Sequence, residues 1–292
     1  MSPRATPKTA TRAPQKAKKN IVWLASYPKS GNTWTRAFLI NYLLNTEQPV
    51  PINQIHRLGI GDAVVNAYRM VSKGPFDPED PAAATRLRPL VLRGITGNGA
   101  DMNFVKTHAI NDTALGEALI PDPVTRMAVY ILRNPLDVAL SYARHYATTV
   151  DGAIDALARP DHTTKGSEQS MVQFLGTWSD HVRSWVDRAP FPVHVMRYED
   201  MIADPKMAFS GLIQALGIPG DDDRLARAIR HSSFSELKSQ EDRAGFVERA
   251  RDGQSFFHTG TAGQWESGMT DSQVARMRQA HGAVMDRFGY TK

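Results

Sequence analysis

Cysteine is absent from the 292 residues. That excludes a disulfide framework and any thiolate metal site, and it is compatible with a reducing, cytoplasmic setting. No apolar run approaches the ~18 residues needed to span a membrane. Residues 1–19 lack the apolar stretch of about 7–15 residues that marks a secretory leader. They also lack any acidic side chain, while carrying Arg4, Lys8, Arg12, Lys16, Lys18 and Lys19. Taking those six charges from the net +5 leaves the rest of the chain at −1. The body is therefore near neutral, and its charge makes no case for nucleic-acid binding.

What is present suits a soluble globular protein, with 41% hydrophobic and 22% charged residues, and the length can bury a sizeable core. The Ala-, Pro-, Thr- and Lys-rich start cannot bury one. Residues 1–19 are expected to be a disordered basic tail and 20–292 a single domain. Four β-branched or apolar runs predict strands: 20–26, 103–108, 127–133 and 192–199. Helical patterns alternate with them, from about Asn32 to Leu44 and over 134–147, 170–187, 205–217, 221–231 and 271–288. Residues 148–169 and 239–264 read as irregular, the kind of insertion that often covers a site. The alternation implies an α/β fold in three layers, a central parallel sheet flanked by helices. Ligands of such sheets bind outside the carboxyl ends of the strands.

Three segments at predicted strand ends carry chemistry. The first is 26-SYPKSGNTW-34, where a strand, a tight turn and a helix start give the parts of an anion site. Lys29 supplies a mobile charge, Gly31 allows close approach, and Ser30, Asn32 and Thr33 add short polar groups. The loop is P-loop-like, but its lysine precedes the Ser-Gly pair, unlike the nucleoside-triphosphate loop G-x-x-x-x-G-K-[ST]. The second is 133-RNPLDVALS-141, where Arg133 and Ser141 return to one face, an arginine fork with a hydroxyl that suits a phosphate monoester. The third is 106-KTH-108, whose period of two sends Lys106 and His108 to one side of a strand. Taken singly, each also fits ordinary structure: a helix start with a surface lysine, an arginine bonding local carbonyls, a structural histidine. No cluster has metal-ligand spacing, and none is expected.

Together these segments resemble the sulfotransferases that use 3′-phosphoadenosine 5′-phosphosulfate (PAPS). Tyr27 to Trp34 match that family's Y-P-K-S-G-[TN]-T-W loop in full, and 133–141 match its R-[ND]-P-x-D-x-x-x-S motif. Further matches are 197-RYED-200 and 231-HSSFSELK-238. The resemblance implies that the loop residues bind the 5′-phosphosulfate and that Arg133, Ser141 and Ser232 meet the 3′-phosphate. Tyr198 would contact the adenine, which Trp34 and Phe234 would face from opposite sides. It further implies His108 as catalytic base, Lys106 on the sulfonyl group and Lys29 on the bridging oxygen, with Ser141 restraining Lys29 before the acceptor binds. PAPS would be the co-substrate, PAP the product, and the other partner a small acceptor bearing a hydroxyl, or an amine.

The chain departs from the family pattern near its C-terminus. Where R-K-G-x-x-G-x-W is usual, it reads 258-HTGTAGQW-265, so His258 and Thr259 replace the basic pair before Gly260. Arg243, Arg249 and Arg251 are candidates to compensate. Of the family's dimerisation pattern only Thr270 survives, which leaves the oligomeric state open. Tyr142, His145, Tyr146 and Phe246 are candidate acceptor-pocket residues, an apolar lining suited to phenols, steroids or alcohols. The alternatives are the carbohydrate branch of the family, a P-loop-type kinase, and a nucleotide binder without catalysis.

Overall fold

The computed structural model describes residues 18–249 and 255–291. The strands are β1 (Ile21–Ser26), β2 (Gly59–Gly61), β3 (Asn103–Thr107), β4 (Thr113–Ala114), β5 (Glu117–Ala118), β6 (Thr125–Leu132) and β7 (Val193–Arg197). The sheet runs β2-β3-β1-β6-β7, and every neighbouring pair in it is parallel. β4 and β5 form a separate small hairpin. Parallel pairing puts the carboxyl ends of β1, β3, β6 and β7 on one edge, and the three chemical segments all leave from that edge.

The helices are α1 (Asn32–Leu44), α2 (Val65–Val71), α3 (Pro81–Thr96), α4 (Pro135–Tyr146), α5 (Val150–Ala158), α6 (Trp178–Val186), α7 (Tyr198–Ala203), α8 (Pro205–Ala215), α9 (Asp222–His231), α10 (Phe234–Ala244), α11 (Trp265–Gly268) and α12 (Asp271–Arg287). Every residue of β1 is buried, and alternate side chains feed two separate cores. Ile21, Trp23 and Ala25 join Leu87 and Val91 of α3, Leu136 of α4, Trp185 of α6 and Met277 of α12 on one face. Val22 and Leu24 join Phe38 of α1, Phe209 of α8 and Leu225 of α9 on the other. This is the expected three-layer arrangement.

Several boundaries differ from the sequence reading. The pattern over 170–187 becomes helix only from Trp178, because Gly176 takes a positive φ of 65° and Thr177 caps α6. Before it, Met171 donates its N–H to the Ala63 carbonyl and Leu175 to that of His162, which holds the segment extended. The stretch read as irregular after 148 contains α5, and α10 extends from 234 to 244. Lys18 and Lys19, assigned to the tail, ion-pair with Asp101 and Asp122; residues 1–17 lie outside the described residues. No helix among the described residues is long and apolar enough to cross a membrane.

Candidate active site

A cavity of about 930 Å³ opens at the carboxyl edge of the sheet. Lys29, Gly31, Asn32, Thr33 and Trp34 form one wall, and Lys106, His108, Arg133, Ser141, Tyr198 and Phe234 complete much of the rest, with His258, Thr259 and Gly260 closing over them. Ser30 and Ser232 are not among its lining residues. The Ser30 hydroxyl is buried in the loop with no protein partner. Ser232 is fully buried and donates its hydroxyl to the Ala228 carbonyl of α9 at 2.8 Å. It therefore serves that helix end and not the place the resemblance gave it.

The loop is built for an anion. Its turn passes through positive φ at Lys29 (71°) and at Gly31 (106°), the latter being the residue that precedes α1. The first helical bond runs from the Thr35 N–H to the Gly31 carbonyl, so the amides of residues 32–34 have no acceptor within the helix. Gly31 is required for a second reason: a Cβ there would lie 2.7 Å from the Tyr198 ring. Gly260, at φ 66°, would put a Cβ 2.2 Å from the Phe234 ring. Two glycines thus let backbone approach aromatic walls. Trp34 meets Tyr198 edge to face at 5.8 Å, and the Arg133 guanidinium stands 4.1 Å over the Tyr198 ring.

His108 has a defined tautomer. Its Nδ1 lies 2.8 Å from the Ser26 carbonyl oxygen; a carbonyl only accepts, so Nδ1 carries the proton and Nε2 the lone pair. Behind it, His181 Nε2 donates to the His108 carbonyl at 3.1 Å, and Tyr130 donates its hydroxyl to His181 Nδ1 at 2.8 Å. Burial, joined by the charge of Lys106, holds the His108 imidazolium well below its ordinary range. The ring is neutral at physiological pH.

Lys29 is also perturbed. Burial lowers it to about 7; Glu248 works against that, while Arg133 and Lys106 add to it. Its ammonium lies 3.3 Å from His145 Nδ1 and 4.1 Å over the Phe256 ring. The partner of Lys29 is therefore His145, not the predicted Ser141, which sits one turn earlier on α4.

Sequence reading missed a group that dominates this wall. Glu248 accepts from Arg36 Nη2 at 2.8 Å on each of its two oxygens and from the Thr33 hydroxyl at 3.1 Å. Lys106 Nζ is 3.9 Å away. Burial alone would raise this carboxyl, but Lys106 and Arg36 outweigh it and hold the acid ionised far into the acidic range. Its one signal in the sequence was Arg36 itself, a cation on the buried face of α1 that demands a carboxylate from elsewhere.

Other expectations fall differently. His145 and Tyr146 do line the cavity, whereas Tyr142 and Phe246 are buried in the cores beneath it. Arg243 faces outward and pairs with Glu236, and Arg249 is held by Glu241; Arg251 lies outside the described residues. Asp137 latches the 258–265 loop to α4, accepting from the amides of Gly263 (2.8 Å) and Trp265 (3.1 Å). No group of three or more His, Cys, Asp or Glu among the described residues is placed to hold a metal ion.

Residues 19–289 match the family model for the sulfotransferase domain. The chain is 25% identical over 286 residues to mouse sulfotransferase 1 family member D1, covering 92% of this chain and 85% of that one. Cytosolic sulfotransferase 1 of Arabidopsis thaliana is 24% identical over 263 residues, covering 85% and 73%. Among solved structures, retinol dehydratase in complex with androsterone and the inactive cofactor PAP aligns with a TM-score of 0.62 at 18% identity, covering 92% of this chain and 81% of that one. Mouse SULT7A1 complexed with PAP aligns at 0.56 and 21% identity, covering 91% and 84%. At those identities the structures establish the shared fold. The family model, which spans nearly the whole described chain, establishes more: this protein belongs to the sulfotransferase family.

Proposed function

We propose that the protein transfers a sulfonate group from PAPS to a hydroxyl of a small acceptor, with His108 as the general base. The observation that carries this is a convergence: the amide-rich loop, Lys29, Lys106 and an imidazole with its lone pair at Nε2 all border one cavity. The residues fit a donor that is anionic at both ends. Arg133 Nε and Ser30 Oγ are buried without a protein partner, and the amides of residues 32–34 have no acceptor within α1. The loop amides and Thr33 suit the 5′ end, and Arg133, Ser141 and Gly260 the 3′-phosphate. Trp34, Tyr198 and Phe234 offer aromatic faces to a purine.

Such a donor, when bound, supplies an activated sulfonyl group. The chain's own residues supply the rest. His108 Nε2 takes the proton of the acceptor hydroxyl, and Ser26 keeps the ring turned so that it can. Lys29 and Lys106 place positive charge where negative charge develops. Glu248 holds Thr33 and borders Lys106, two groups this reading assigns to the donor. Binding therefore requires Glu248 to release Thr33.

Beside His108 the cavity offers both kinds of surface. His145, Tyr146 and Phe256 are aromatic, while Thr164, Ser170 and Gln173 are polar. That combination suits a phenol, steroid or alcohol whose ring packs while its other end is solvated. The carbohydrate branch would favour a glutamate base, and Glu248 is the glutamate that lines this cavity. Its oxygens are already committed to Arg36 and Thr33 and its basicity is low, so His108 is the better base.

Radiolabelled sulfonate transfer from PAPS to a panel of phenols, steroids and alkyl alcohols tests the proposal. The expected result is transfer by the native chain and a fall in kcat of about 10²–10⁴ in His108→Ala. Lys29→Ala is expected to lose activity as well. Undiminished transfer in both variants would reject this mechanism.

A further inference from the structure

If the donor is PAPS, as proposed above, its 3′-phosphate meets a weakened clamp, because His258 and Thr259 stand where the family has a basic pair. The geometry points to Arg144 as the replacement: we propose that it grips the 3′-phosphate together with Arg133 and Ser141.

Arg144 lies on α4 three residues after Ser141, a spacing that places both on one helix face, and both line the cavity. Its Nη2 donates to the Gln264 side-chain oxygen at 3.2 Å. The same Gln264 amide donates from Nε2 to the Thr261 carbonyl at 3.0 Å. Arg133 Nη2 reaches that carbonyl too, at 3.4 Å. A single carbonyl and a single amide therefore separate the two guanidinium groups, and they flank the same patch under the 258–261 loop. The two neutral groups between them cancel no charge.

The local carboxylate cannot serve both. Asp137 is 3.9 Å from Arg133, and its two oxygens already accept the amides of Gly263 and Trp265. Arg144's one side-chain hydrogen bond among the described residues goes to the neutral Gln264. Two guanidinium groups against one committed carboxylate leave a net positive site. Mutual repulsion is consistent with this: burial and then the charge of Arg133 lower Arg144 from its ordinary value. A phosphate dianion relieves that repulsion and accepts from both forks. Arg133 brings a further donor, since its buried Nε has no protein partner.

The loss of the usual basic pair is thus matched by a cation on the opposite side of the patch, from α4 instead of the loop. Arg243 is exposed and pairs with Glu236, and Arg249, although it lines the cavity, already spends Nε and Nη2 on Glu241.

Calorimetric titration with PAP and with adenosine 5′-monophosphate, which differ in the 3′-phosphate, separates the possibilities. The native chain is expected to prefer PAP. In Arg144→Gln the PAP affinity falls about tenfold to a hundredfold, the range for one charge-assisted contact, while the monophosphate affinity holds. Adding His258→Arg and Thr259→Lys to that variant restores the preference for PAP, which also shows that the variant folds. An unchanged PAP-to-monophosphate ratio in Arg144→Gln, with an unchanged melting temperature, overturns the role of Arg144 and leaves the PAPS reading standing. A native chain that binds both nucleotides alike, or neither, overturns the PAPS reading and this inference with it.

Discussion

A lysine that titrates near neutrality is the most chemically informative residue in this cavity. Lys29 is brought to about 7 by burial and by neighbouring cations, while the unfolded chain holds its proton to about 10.4. Its folded value is depressed, so between those limits the unfolded state binds more protons. The group therefore weighs against folding below pH 7, and that cost disappears as pH rises through the window to the unfolded value. A bound anion reverses the shift, because it favours the ammonium. Binding of PAP at pH 8 is accordingly expected to take up a fraction of a proton. Calorimetry in two buffers of different ionisation enthalpy reads it, and Lys29→Met should abolish it. Identical heats in both buffers for the native chain would sink this account of Lys29. His145, lowered by burial to about 4, stays neutral throughout and accepts from Lys29 without competing for the proton.

Between elements, the contact that matters most joins α1 to the segment after α10. Arg36 is 1% exposed along its side chain and Glu248 25%, so the pair is half sheltered. Breaking it strands a buried guanidinium. Glu248→Gln should therefore cost roughly 1–3 kcal/mol, below the about 3–5 kcal/mol typical of a fully buried pair because water reaches the carboxylate. The same change frees Thr33 and Lys106 for an incoming anion. Affinity for PAP should rise severalfold while the melting temperature falls. Both quantities falling together would show that Glu248 holds the loop in its binding shape and does not compete with the donor.

Legibility also divides at this scale. β1, β3, β6, β7 and helices such as α1 and α4 were readable because their apolar periods are unbroken, and α4 also because its cap is conventional; Asn134 accepts from the Leu136 amide and Pro135 begins the helix. α3 was not readable. Pro89 sits inside it, and a proline normally ends a helix. There Leu87, Val91, Leu92 and Ile95 pack into the core of one sheet face, and that burial outweighs the local penalty. β2 is three residues with two glycines, a strand only because β3 offers its edge.

For the molecule as a whole, one sheet serves two cores, and β1 contributes to both. Damage to either face should therefore be felt by the entire fold. Phe209 is fully buried and stacks on Phe38 at 4.0 Å with an interplanar angle of 15°. Phe209→Ala should cost about 3–5 kcal/mol and lower the melting temperature by about 10 °C in a single transition. Two separated transitions, with the α1 face melting first, would contradict the coupling through β1.

The sequence by itself determined the four main strands, several of the helices between them, the parallel sheet, and the loop, arginine and histidine that sit at its carboxyl edge. Those follow from periodicity, capping and turn chemistry, which act between near neighbours. Only the tertiary structure decided which side chains meet across that edge. It turned Ser232 into its own helix, gave Lys29 to His145, and tied Arg36 to a carboxylate more than two hundred residues away. It also set Arg144 beside Arg133 through Thr261 and Gln264. The physical reason is the same in each case: buried charges and polar groups must find partners, and the partner is chosen by packing, not by distance along the chain.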